Sequence, residues 1–268
     1  MTLLLRIYTL LFARPCLYRF NKLLYRCSLR GMGILNFADE DSSGETYFLK
    51  RYFQGRNGGV ALDVGANVGA YCKALANACP ALRIHAFEPH PHTYERLITN
   101  VQGPAVKCHN VAVGACDGPV ELYDYAQGDA SSHASLYREV IENIHGGSSV
   151  THRVEMIRLD DYLESQSIDR VNLLKVDTEG HEISVLSGAR RYIEEGRIEA
   201  IQFEFNEMNT SSRTFLKDFL ELLPHYDFYR LLPRGMLKLE MYNPIYCEIF
   251  AYQNIVAILR MVGGNREA

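Results

Sequence analysis

At 268 residues, with 47% apolar and 22% charged, the chain can bury a full core and lacks the low-hydrophobicity, high-charge signature of disorder. A net charge of −4 supplies no basic field for nucleic acid, so the expected partner is a small-molecule or glycan acceptor. The seven cysteines are an odd number without a C-x-x-C pair, which indicates neither a disulfide framework nor a zinc site and predicts reduced thiols in the cytoplasm.

Residues 1–30 are rich in leucine and aromatic side chains. Arg6, Arg14, Arg19, Lys22, Arg26 and Arg30 interrupt them, so no run reaches the ~18 apolar residues of a membrane span. No small-residue cleavage site follows residues 3–12, which argues against a signal peptide. An N-terminal helical extension over residues 1–40 is expected to pack on the domain that follows it. The second reading is peripheral contact with an anionic membrane surface through residues 1–30.

Beyond it, strand and helix signals alternate as in a doubly wound α/β sheet over residues 41–262. Strands are expected near 60–65, 83–88, 106–113, 172–177, 200–205, 226–232 and 247–258, with helices over 69–78, 91–101, 182–194 and 211–222. Pro91 suits a first helical turn, and Gly196 follows the end of the third helix. Residues 114–160 carry Gly118-Pro119, a β-rich stretch at 120–125, a polar one at 128–135 and Gly146-Gly147. That composition predicts a β-hairpin insertion with a loop on the side where a substrate enters.

The densest signal is at residues 60–70, where an apolar strand runs through Asp63 into a turn at Gly65 and Gly69 and then into a helix. The next strand ends on Glu88. This is the order of a nucleotide-binding βαβ unit, in which glycines admit a close ligand and the acid holds a ribose diol. A pyrophosphate cradle needs G-x-G-x-x-G, whereas here an acid stands upstream and Asn67 replaces a glycine. That inversion repels phosphate and suits the ammonium of S-adenosylmethionine, so methyl transfer is the leading expectation. A plain tight turn with a solvated Glu88 is the bland reading.

A second constellation follows the strand ending near Val176, where Asp177, Glu179, His181 and Glu182 crowd one strand terminus. Two acids on a short turn repel each other unless something offsets them, which favours function for Asp177 and Glu179 and a helix-capping role for Glu182. Along 200–206, alternation puts Gln202, Glu204 and Asn206 on one side. Glu204 is costly to bury alone, so it is expected to face the cleft as the preferred base or a ligand of substrate hydroxyls. Asp177, Glu204 and Asn206 are an oxygen set that suits Mg²⁺, a metal-assisted version that is not favoured.

Together, Asp63 to Gly69, Phe87-Glu88-Pro89, Asn100-Val101, Ala112-Val113-Gly114, Leu159-Asp160-Asp161, Leu174 to Glu182, Val185 to Ala189, Glu204 and Ser43-Gly44-Glu45 resemble the FkbM-type S-adenosylmethionine-dependent methyltransferases. The resemblance covers about residues 31–258. It implies a class I methyltransferase, Rossmann-like, with a seven-stranded sheet of order 3-2-1-4-5-7-6 and an antiparallel last strand. It also implies O-methylation of a sugar, glycan or secondary metabolite. Position by position it assigns Asp63, Gly65, Asn67 and Gly69 to the methionine end of the cofactor, Glu88 to its ribose, Asp177 to the sulfonium side and Glu45 to a further cofactor contact. From the strand-end chemistry, Glu204, Asp177, Glu179 and His181 are the catalytic candidates. His109-Asn110-Val111-Ala112 lacks the acid that often follows the third strand, which leaves adenine contacts open. A Rossmann-type oxidoreductase and a non-catalytic binding module of the same fold are the alternatives.

Overall fold

The computed structural model describes residues 2–101, 103, 105–125, 134–144 and 146–260. The polar stretch at 128–133 and residues 261–262 of the expected domain lie outside the described residues. The chain begins with two helices, α1 (Thr2–Phe12) and α2 (Tyr18–Gly31), joined by a 3₁₀ turn at Pro15–Leu17. Short helices α3 (Glu40–Ser43) and α4 (Glu45–Phe53) lead into β1 (Gly59–Val64), α5 (Ala70–Ala78), β2 (Leu82–Phe87), α6 (Pro91–Asn100) and β3 (Val106–His109). Strands β4 (Ala112–Val113), β5 (Gly118–Tyr125) and β6 (Ser149–Ile157) follow, then α7 (Leu159–Ser165), β7 (Val171–Val176), α8 (Glu182–Gly188), α9 (Arg190–Glu194) and β8 (Ile198–Phe205). The chain closes with α10 (Asn209–Ser212), α11 (Leu216–Leu222), β9 (Tyr226–Leu232), β10 (Gly235–Lys238), α12 (Pro244–Cys247) and β11 (Gln253–Leu259).

The main sheet runs β10-β9-β11-β8-β7-β1-β2-β3. β1, β2, β3, β7 and β8 are parallel, while β11 pairs antiparallel with both β8 and β9. Read in the order of the seven expected strands, this is 3-2-1-4-5-7-6 with β11 as the antiparallel last strand. The sheet has eight strands rather than seven, because β10 folds back on β9 as an edge hairpin. The central strands are mostly apolar, β1 and β7 being buried over nearly their whole lengths, as parallel strands covered on both faces are. One face packs Val64, Leu174, Ile201 and Phe203 under α7, α8, α9 and α11, and the other packs Ala61, Ile84 and Leu173 under α4, α5 and α6.

Several expected elements divide. The strand expected over 106–113 splits at Asn110, whose Nδ2 donates to the carbonyls of Glu88 and Pro89, and β4 then joins a separate three-stranded sheet, β4-β6-β5. In that sheet β5 and β6 form an antiparallel hairpin, from Gly118 opposite Met156 to Tyr125 opposite Ser149. The helix expected over 182–194 breaks at Gly188, where a Cβ would lie 2.0 Å from the Gly114 carbonyl oxygen. That over 211–222 breaks at Arg213, which takes the left-handed conformation at φ 55°. The last strand starts at Gln253, since Pro244–Cys247 form a helical turn instead. The expectation that residues 1–30 pack on the domain is also corrected: of the side chains described in α1 and α2, Leu29 alone is buried.

Candidate active site

A cleft of about 550 Å³ opens at the C-terminal ends of β1, β2, β7 and β8, where open α/β sheets place their ligands. Its size falls within the range of small-molecule sites, roughly 300–1,000 Å³. Val64, Gly65, Asn67, Phe87 and Glu88 line it from β1 and β2, with Val111, Ala112 and Val113 as an apolar wall. Asp177, Thr178, Glu179, His181, Glu204 and Asn206 line it from β7 and β8, and Leu35, Phe37 and Tyr252 join them.

The turn after β1 is built for close approach. At Gly65, φ is +81° and a Cβ would lie 1.7 Å from the Asp177 carbonyl oxygen, so only glycine lets the ends of β1 and β7 meet there. Asn67 also takes a left-handed φ of 48°, and its N–H donates to Glu88 Oε2 at 2.9 Å. Glu88 Oε1 accepts the His90 N–H at 2.8 Å. The carboxyl thus joins the glycine turn to the start of α6 while facing the cleft. Burial pushes its pKa up to about 7, against the two backbone donors that favour the anion.

Three other predicted residues are not on the cleft wall. Asp63 is 1% exposed, accepts the Cys72 thiol at 3.0 Å, and is pushed up to about 6 by burial. Gly69 precedes α5 at φ +87° where a Cβ would meet Leu97 of α6 and Val101 just after it, which makes it a packing glycine. Glu45 reaches the sheet from α4, where its Oε1 accepts Gln202 Nε2 at 2.7 Å.

Glu45 belongs to a buried charge cluster whose centre, Lys175, went unremarked in the sequence. Lys175 Nζ lies 3.2 Å from Asp177 Oδ2, 3.7 Å from Glu45 Oε1 and 4.0 Å from Glu204 Oε1, and the residue is 2% exposed. Its strand neighbours in register are Asp63 on β1 and Gln202 on β8, so a polar row crosses the middle of an otherwise apolar sheet. Burial opposes the ammonium's charge, but Asp177, Glu45 and Glu204 outweigh it and hold the pKa well above the ordinary lysine range. A lone lysine inside the run Val171–Val176 was the signal available: a cation in a doubly covered strand demands acid partners.

Glu204 is 9% exposed and accepts Asn206 Nδ2 at 3.3 Å. Burial first and the neighbouring Asp177 second push its pKa well above the carboxylate range, with Lys175 opposing them. His181, at the start of α8, is held at about 4 by burial and is therefore neutral at physiological pH. Its Nδ1 stands 3.4 Å from Tyr137 Oη, and its buried Nε2 has no hydrogen-bond partner among the described residues. Glu179 takes a left-handed φ of 52° on the same turn. Glu182 has the structural role: its Oε1 accepts the N–H groups of Thr178 and Gly180, and burial pushes it up to about 7.

A family model described as the methyltransferase FkbM domain matches residues 63–229, more than half of the chain and every strand end that frames the cleft. This chain belongs to the FkbM methyltransferase family. The 2-O-methyltransferase NoeI of Sinorhizobium fredii is 26% identical to it over 192 residues, covering 66% of this chain and 76% of NoeI. Methyltransferase 1 of Beauveria bassiana is 32% identical over 143 residues, 47% of this chain and 57% of that protein. The hexuronic acid methyltransferase AglP of Haloferax volcanii is 30% identical over 140 residues, 48% of this chain and 49% of AglP. The matches thus span about half the length of the last two relatives.

The cofactor that such a methyltransferase uses is S-adenosylmethionine, and the residues present fit it. Glu88 offers a buried carboxyl for a diol beside the Gly65–Asn67 turn, and Val111 to Val113 supply an apolar wall for a flat ring.

Proposed function

We propose that this methyltransferase transfers the methyl group of S-adenosylmethionine to a hydroxyl of a sugar, glycan or secondary metabolite. The observation that carries the reading is one cleft lined by Glu88, Asp177, Glu204 and a neutral, buried His181. The relatives named for 2-O-methylation and for a hexuronic acid support a hydroxyl-bearing acceptor. The seven free thiols support a reducing compartment, the cytoplasm. The domain division proposed is a helical extension over 1–40 and a catalytic domain over 41–262.

When bound, S-adenosylmethionine supplies a methyl group already activated by its sulfonium centre. Glu88 accepts the ribose hydroxyls, and Gly65 and Asn67 hold the methionine end through the turn. Asp63, Gly69 and Glu45 act on that end indirectly: Asp63 and Glu45 through the Lys175 row, and Gly69 by seating α5 against α6. A hydroxyl is a weak nucleophile, so a base that accepts its proton contributes roughly 10²–10⁴-fold. His181, a neutral imidazole on the cleft wall, takes that role. Three carboxyls share the Lys175 ammonium, and the most buried on the cleft wall, Glu204, whose pKa burial and Asp177 push up, orients the acceptor through a hydrogen bond. Asp177 and Glu179 position it from the β7 turn. Lys175 supplies the positive charge between these acids, so no Mg²⁺ step is invoked.

The test is label transfer from methyl-labelled S-adenosylmethionine to sugar hydroxyls, followed across pH. Turnover is expected to rise through a group near pH 4, and His181→Ala to lower kcat by about 10²–10⁴ with cofactor affinity unchanged. Glu204→Gln keeps a hydrogen-bonding side chain of the same size and is expected to lose less than about tenfold. Turnover abolished in Glu204→Gln but retained in His181→Ala would make Glu204 the base.

A further inference from the structure

Residues 1–38 hold six cations and no acid, whereas the other 22 basic and 32 acidic residues leave the rest of the chain at −10. The same segment is apolar and uncovered. Leu3, Leu4 and Leu10 are 71, 73 and 76% exposed, and more than half of the exposed large hydrophobics among the described residues lie in α1 and α2. Along α2, Phe20, Leu23, Leu24 and Cys27 recur at i, i+3, i+4 and i+7, while Arg19, Lys22, Arg26 and Arg30 run along the adjoining face.

The two helices are fastened to each other more than to the domain. Tyr8 Oη donates to Asn21 Oδ1 at 2.5 Å, Asn21 Nδ2 donates to the Phe12 carbonyl at 2.9 Å, and the rings of Phe12 and Phe20 stack 5.8 Å apart. The apolar face is therefore held together as a preformed unit. Exposed apolar area of this extent marks an interaction surface. Charge selects the occupant: a second copy would set six cations against six, whereas an anionic lipid surface complements the cations with phosphates and the leucines with acyl chains.

We propose that α1 and α2 lie on an anionic lipid surface, with the apolar face in the headgroup–acyl boundary and the cations on the lipid phosphates. No helix among the described residues is long and apolar enough to cross a membrane, which is consistent with lying on one. Docking is tied to the cleft. Four residues after α2 ends, Leu35 N–H donates to the Tyr252 carbonyl at 2.8 Å, and Leu35, Phe37 and Tyr252 all line the cleft. This inference is independent of which acceptor is methylated.

The experiment is co-sedimentation of the full chain with vesicles of phosphatidylcholine alone and of phosphatidylcholine mixed equally with phosphatidylglycerol. Binding to the anionic vesicles is expected to fall with added salt and to be much stronger than to the neutral ones. Replacing Arg19, Lys22, Arg26 and Arg30 by Gln is expected to weaken it about fivefold per cation, several hundredfold in all, from ~1 kcal/mol per cation near such a surface. An unchanged melting temperature of that variant shows that the loss is not unfolding, and the salt titration of the wild type stands without any variant. Equal binding to both vesicle types, or none, overturns the proposal. So does a wild type that self-associates and ignores vesicles, which would make the occupant a second copy.

Discussion

Gly65 and Gly55 share a left-handed backbone, at φ +81° and +75°, but differ in what surrounds them. A Cβ at Gly65 would collide with the Asp177 carbonyl, whereas nothing lies within 4 Å of one at Gly55. Gly55→Ala is therefore expected to cost about 1–2 kcal/mol, the strain of a left-handed residue alone. Gly65→Ala is expected to cost about 3 kcal/mol or more, since the ends of β1 and β7 must separate, and to weaken cofactor binding as well. Urea unfolding of the two variants checks this, and equal losses would contradict it. Glu182 makes a second test at this scale. Its folded pKa, about 7, lies above the ordinary 4.5, so the folded state binds the proton more tightly. Its contribution is fully present below about pH 4.5 and is lost as pH rises towards 7. Glu182→Gln keeps an acceptor for the Thr178 and Gly180 N–H groups but has no such loss. Its stability relative to wild type is expected to improve by about 2–3 kcal/mol between pH 4.5 and pH 8. Melting temperatures whose difference does not change with pH would refute the buried-charge account.

The elements were legible in proportion to how locally they are determined. The strands β1, β2, β7 and β8 stand out as continuous apolar runs, and Pro91 marks the start of α6 because its fixed φ and missing N–H suit a first turn. The breaks were not legible: Gly188 ends α8 because Gly114, distant in sequence, comes against it, and β10 is too short and too exposed to show an alternating pattern. The amphipathic face of α2 was readable, but not that it lacks a partner on the domain. Removing residues 2–25 takes away no buried side chain among those described. Stability is expected to change by no more than about 0.5 kcal/mol, as for surface changes generally. A fall of several degrees in melting temperature on that deletion would show that the helices support the fold after all.

For the whole molecule, a parallel sheet with its order reversing between β1 and β7 fixes where a ligand sits, and the residues at those strand ends decide which ligand. The proposed cofactor end could be expected from the sequence because Gly65, Asn67 and Glu88 lie within one βαβ unit. The proposed acceptor side shows in the sequence only as separate acids, since the pairing of Lys175 with Glu45, Asp177 and Glu204 joins three distant segments, and sequence spacing carries no trace of that. The central claim is that the cleft holds S-adenosylmethionine by the Glu88 carboxyl, and calorimetric titration of that cofactor into the wild type, Glu88→Ala and Glu88→Gln tests it most directly. Wild type is expected to bind. Glu88→Ala should lose roughly 1.5–3 kcal/mol of binding, the worth of hydrogen bonds to a charged group, and Glu88→Gln, which keeps one acceptor for the turn, should lose less. A wild type that does not bind S-adenosylmethionine, or folded variants that bind it as tightly as wild type, would contradict the account.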